Sequence, residues 1–159
     1  MDIDKYFDND YISKIVETEL DRYITFFSVS YQENLNHSRF VIENYPRWSI
    51  ISGYYAMHDI TKLFLVRKFG IKVDNKVHKT TINILRELVE DKEILELLEF
   101  GYDEFIKMTN DLAEAKEERL KSQYYTGSEF MKEEYAKKAS EFYENIVSPF
   151  VNKINRRLG

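Results

Sequence analysis

The chain has 159 residues, 43% of them hydrophobic, and a formal net charge of −5. That length and apolar share suffice for one domain with its own core and exclude a disordered chain. The absence of cysteine excludes disulfides, thiolate metal sites and cysteine nucleophiles, and the mild acidity supplies no general attraction for nucleic acid.

Turn-forming residues are scarce, with five glycines and two prolines against twelve tyrosines and eleven phenylalanines. Few turns imply long elements, and in a chain this size long elements are helices. The N-terminus, MDIDKYFDNDY, is acidic and lacks the apolar centre of a signal peptide. No apolar run approaches the roughly 18 residues of a membrane span. The expectation is a cytoplasmic protein of one domain, residues 1–159, in which residues 1–22 form an N-terminal extension helix.

Apolar residues recur at Ile12, Val16, Leu20, Tyr23 and Phe27, then at Tyr31, Leu35, Ile42 and Tyr45. The first group has helical spacing and the second follows it loosely, so one long helix or two joined near Ser28–Ser30 are expected. Pro46 suits a first helical turn, where its missing N–H is not needed. The next helix then runs to Phe69, with Ile50, Met57 and Phe64 in line and Gly70 in the C-cap position. Arg67 and Lys68 fall in its last turn, where cations favour the dipole. IKVDNK reads as a loop. A helix from about Val77 to Val89 carries Ile82, Leu85 and Val89 on one side. Asp91 caps a short helix, KEILELLEF, closed by Gly101. Another helix runs from about Asp103 to Tyr124, with Phe105, Met108, Leu112 and Ala115 inward. Gly127 ends it and Ser128 caps the last helix, which carries Met131, Tyr135, Ala139, Phe142, Ile146 and Phe150. Pro149 should kink or end that helix. No segment alternates at period two. The expected fold is an all-α, up-and-down bundle of about five helices.

The charges are unevenly placed. Lys62, Arg67, Lys68, Lys72, Lys76 and Lys79 face only Asp74 in their segment, whereas eight Asp/Glu between Glu87 and Glu104 face only Lys92. A phosphate-facing side is one reading; two solvated faces are the simpler one. His37, His58 and His78 lie on separate segments without metal-ligand spacing, so neither a metal nor a cofactor is expected. His58 and Asp59 are adjacent and point apart on a helix, which does not suit a triad. Phosphate-binding glycine loops are missing.

Leu112, Ala115 and Arg119 share one helix face, so Arg119 lies on the apolar side. A buried guanidinium is costly unless paired. Its neighbours at three and four positions, Ala115, Lys116, Ser122 and Gln123, are not acidic. The partner must therefore come from another helix, another chain or a ligand.

The run Ser52-Gly53-Tyr54-Tyr55-Ala56-Met57, with its small residues beside aromatic ones, resembles the second core helix of HEPN domains. The likeness continues through HKTTINILRELV, the helix ending ERLKSQYY and the closing helix, covering roughly residues 23–154. It implies a homodimeric bundle. Many such bundles are metal-independent ribonucleases paired with a minimal nucleotidyltransferase as toxin and antitoxin. Their motif is Arg, four to six residues, then His. Arg119 stands where the Arg belongs, but Tyr124, Tyr125 and Thr126 stand where the His would fall. Tyrosine, with a reference pKa near 10, is a poor proton carrier at neutral pH.

The resemblance therefore implies a degenerate ribonuclease centre in an accessory protein for RNA or nucleotides. Arg119, Tyr124, Tyr125, Lys72, Lys76 and Lys79 would contact phosphate or nucleotide. An active ribonuclease using Arg119 with His58 or His78 is the enzyme alternative. A scaffold that makes protein contacts alone, such as a nucleotidyltransferase partner, is the third.

Overall fold

A computed structural model describes residues 3–121 and 128–159, with side chains in the two longest C-terminal helices described up to residue 110 and again from 133. The fold is an all-α bundle with one small sheet. Its elements are α1 (Asp4–Asp8), β1 (Ile12–Lys14), α2 (Leu20–Phe40), α3 (Pro46–Phe69), β2 (Ile71–Val73), α4 (Val77–Leu88), α5 (Lys92–Lys121), α6 (Ser128–Phe142) and α7 (Ser148–Leu158). Among the described residues, no helix is long and apolar enough to cross a membrane.

The apolar stripe of α3 makes it the central helix, and α2, α5, α6 and α7 all pack on it. Ile50, Tyr54, Met57 and Ile60 are fully buried along its length. α2 and α3 are antiparallel, as their cross-links show. Ser30 and Asn34 bond to Asp59, His37 meets Ser52, and Ser38 and Ser49 each donate to the other's carbonyl at 2.7 and 2.6 Å. Gly53 sits at this crossing. A Cβ there would lie 2.9 Å from both Ser38 Oγ and Val147 Cγ2, so a bare backbone lets three elements meet.

Gly70 ends α3 in the left-handed conformation, with φ 63°, and its N–H bonds back to Val66. A Cβ would meet nothing there; only the backbone conformation demands glycine. Replacing Gly70 with alanine is therefore expected to destabilise by about 1 kcal/mol, read as a lower urea midpoint at unchanged slope.

The structure corrects the expectation of an N-terminal helix and of a loop at IKVDNK. Ile12 pairs with Val73, Ser13 with Lys72 and Lys14 with Ile71, antiparallel. Ile12 and Val16 are four residues apart, a spacing that period two satisfies as well as a helix does. Strands of three residues carry too few positions to display alternation. Tyr6 and Ile12 are buried, so the N-terminal segment docks on the bundle. α2 then passes unbroken through Ser28–Ser30.

Gly101 does not close a helix. It lies inside α5, where a Cβ would sit 2.9 Å from Met57 Sδ; it is small because α3 is close. Asp91 does cap α5, accepting from the N–H groups of Glu93 and Ile94. Pro149 marks a helix boundary as expected: α6 ends at Phe142, and Pro149 stands in the first turn of α7. A π-helical turn, Tyr143–Val147, joins α6 to α7, which opens with Ser148 and Pro149. The wider turn accepts a ring that an α-turn would press against the carbonyl four residues back.

Candidate nucleic-acid interface

Docking of β1 on β2 gathers aromatic rings from the N-terminal segment and α2 around lysines from α3 and the β2–α4 connection. Lys62 Nζ lies 5.4 Å from the centre of the Phe27 ring, Lys72 Nζ 5.9 Å from Tyr23 and Lys76 Nζ 5.4 Å from Tyr11. Lys14 stands over Phe7 and Arg22 over Tyr23. Each cation thus faces a ring from another part of the chain or a neighbouring turn. The ammonium groups themselves stand over the ring faces, where the ring quadrupole attracts a cation.

The two charge blocks of the sequence are used differently. The acidic block bonds α5 to its neighbours: Glu93 to Lys153 at 3.0 Å, Asp91 to Arg157 at 3.6 Å, Glu104 to Lys138 at 3.1 Å, and Glu99 to Arg86. In the basic block Lys62–Lys79, by contrast, only Lys72 meets a carboxylate among the described residues, Asp74 at 3.6 Å. Cations left without carboxylates and mixed with rings are what a single strand requires.

A groove of about 180 Å³ lies among these groups, between Tyr23 and Phe27 of α2, Lys62 of α3, and Lys72 and Asp74 of β2 and its edge. Leu65 and Ile71, both buried, form its floor. Lys62 is half-buried, and burial pulls its pKa down, with Asp59 acting against the shift. Burial raises the pKa of Asp59, offset in part by the Ser30 hydroxyl, Lys62 and Asn34.

A second cluster lies on the α4 side of α3. His58 and His78, on different helices, have ring centres 4.7 Å apart. Tyr54 stacks on His58 and shares a 2.8 Å hydrogen bond with His78 Nδ1, and Tyr102 stacks on His78. Phe105 lies 4.7 Å from Tyr54. His58 is 2% exposed and its Nδ1 has no hydrogen-bond partner among the described residues. Burial, then Lys62 and His78, hold its pKa well below the ordinary imidazole value. Burial and Lys62 lower that of His78. Burial, then the phenols of Tyr102 and Tyr55, pushes the Tyr54 hydroxyl up. His58 is thus enclosed beneath Tyr54 and His78, whereas His78 is half-exposed at the edge of the cluster.

Of the residues singled out from sequence, Lys72 lies in β2 over Tyr23, Lys76 follows the sheet over Tyr11, and Lys79 is exposed in the first turn of α4. His58 and His78 come together, with His58 buried and His78 half-exposed. Arg119 belongs to α5, and its side chain lies outside the described residues, as do Tyr124 and Tyr125. Among the described residues, no three His, Asp or Glu side chains converge as a metal ion would need. Sequence reasoning placed Lys62 in the basic segment but missed Tyr11, Tyr23 and Phe27, the rings that face these lysines. No local signal pointed to them, because three-residue strands are too short to show alternation and the pairing of β1 with β2 is long-range. Compared with protein-family models, with curated proteins and with solved structures, the chain matches none.

Proposed function

We propose that this protein is an HEPN-like accessory protein that binds single-stranded RNA without cutting it. The reading rests on the cluster at the β1–β2 end of the bundle, where Lys62, Lys72 and Lys76 stand over Phe27, Tyr23 and Tyr11. Ammonium groups neutralise phosphates, and rings offer stacking faces that accept any base. The burial of His58 favours binding over cleavage, because a proton carrier must reach its substrate within hydrogen-bond distance. Arg119, Tyr124 and Tyr125 add phosphate contacts in this reading, and the homodimer, the minimal nucleotidyltransferase partner and the cytoplasmic setting belong to it.

The test is incubation of the protein with a mixed-sequence single strand, without metal, followed on native and denaturing gels. A retarded but intact strand is expected. Cleavage that disappears with Arg119→Ala would establish the ribonuclease instead. Neither retardation nor cleavage would leave the protein-contact scaffold.

A further inference from the structure

The groove between α2, α3 and β2 has two unlike ends. Tyr23 and Phe27 are one helical turn apart, with ring centres separated by 6.3 Å. At the Phe27 end stands Lys62, which makes no direct ion pair among the described residues and feels Asp59 only at a distance. At the Tyr23 end stand Lys72 and Asp74, paired with each other, with the second oxygen of Asp74 accepting from the Ser13 hydroxyl at 2.6 Å. The floor between them is apolar.

Each part selects a chemical feature. A half-buried ammonium that makes no direct ion pair among the described residues, with Asp59 acting on it only at a distance, favours an anion placed against it. The rings and the apolar floor favour a flat aromatic ring. The carboxylate repels an anion at its own end and accepts a hydrogen bond from an amino group. About 180 Å³ is below the roughly 300–1,000 Å³ of sites that engulf drug-sized ligands. The groove therefore holds one base and leaves sugar and phosphate at the rim.

We infer that the groove is a seat for one nucleoside monophosphate unit with an amino-bearing base, its phosphate on Lys62 and its amino group toward Asp74. This rests on the RNA-binding reading and makes the groove the place where one nucleotide of the strand is anchored.

Calorimetric titration of the full chain with cytidine monophosphate, uridine monophosphate, cytidine and inorganic phosphate tests it. Cytidine monophosphate is expected to bind with a sub-millimolar dissociation constant, about tenfold or more tighter than any of the other three. Lys62→Met keeps the apolar stem and is expected to weaken it about tenfold, as is Tyr23→Ala through lost stacking. Unchanged thermal melts and helical circular dichroism would show that the variants fold. Equal binding of cytidine and its monophosphate, or of the uridine and cytidine monophosphates, would overturn the assignment. So would full binding by folded Lys62→Met. If monophosphates fail to bind while a single-stranded oligonucleotide binds, the seat is wrong and the RNA reading stands. If the oligonucleotide also fails, both fall.

Discussion

Replacing Gly53 with leucine is expected to cost about 3 kcal/mol, a large share of the roughly 5–15 kcal/mol that holds a domain folded. Even a Cβ at this position would stand 2.9 Å from Ser38 Oγ and 2.9 Å from Val147 Cγ2. Neither neighbour yields easily. Ser38 is buried and donates to the Ser49 carbonyl, and Val147 is buried in the π-helical turn before Pro149. A leucine would separate α2 and the closing helix from α3 at once. Helix propensity works in the opposite direction, since glycine inside a helix is worth about 1 kcal/mol less than alanine. The steric term is the larger, so the sign is destabilising. Urea unfolding followed by the single tryptophan, Trp48, reads the change. A midpoint at or above that of the parent would mean that the crossing is looser than described.

The second large effect is a loss of stability in mild acid. Imidazoles of depressed pKa are neutral in the fold, whereas in the unfolded chain they take up protons near pH 6.5. The unfolded state therefore binds more protons as pH falls, and the stability present above about pH 6.5 drains away below it. Each unit by which a folded imidazole is depressed is worth about 1.4 kcal/mol once that group is charged. His58 and His78 both contribute, because buried His58 and half-buried His78 lie side by side with Lys62 nearby. The groups facing them do not cancel this. The Tyr54 hydroxyl, pushed up by burial, stays neutral throughout this range. Lys62, with its lowered pKa, follows the same sign at higher pH. Asp59 is raised by burial, so its protonation favours the fold, but only as pH falls into the carboxylate range. Between pH 7 and 5 the melting temperature is expected to fall steadily. His58→Phe should flatten that slope while leaving stability at pH 7 intact, because Nδ1 has no partner among the described residues to lose. An unchanged slope would place the titrating groups elsewhere.

The helices were legible because their signals are long. α3 starts at Pro46 and ends at Gly70 as its sequence punctuation requires, and Asp91 caps α5 as expected. The departures share one physical origin, which is packing between segments distant in sequence. Gly101 resembles a helix end until Met57 is seen against it. β1 and β2 are three residues each, and their pairing spans some sixty positions of chain. The candidate site was half legible for the same reason. Lys72 and Lys76 stood out by charge, but the rings that face them come from the N-terminal segment and α2, which only the small sheet and the α2–α3 hairpin bring near. His58 and His78 could not be paired from sequence, although Tyr54 and His58, four residues apart on one helix, already marked a shared face.

The most direct test of the account is the salt dependence of binding of a fluorescent single-stranded RNA, measured for the parent protein and for the Lys62→Met, Lys72→Ala, Lys76→Ala triple variant. Phosphate neutralisation contributes a slope of about −0.7 per contact on single strands, so losing the lysines should flatten the log–log slope by about 2 and weaken binding at low salt. A folded triple variant that binds with the parent's affinity and slope would contradict the claim that this lysine–aromatic end holds the strand.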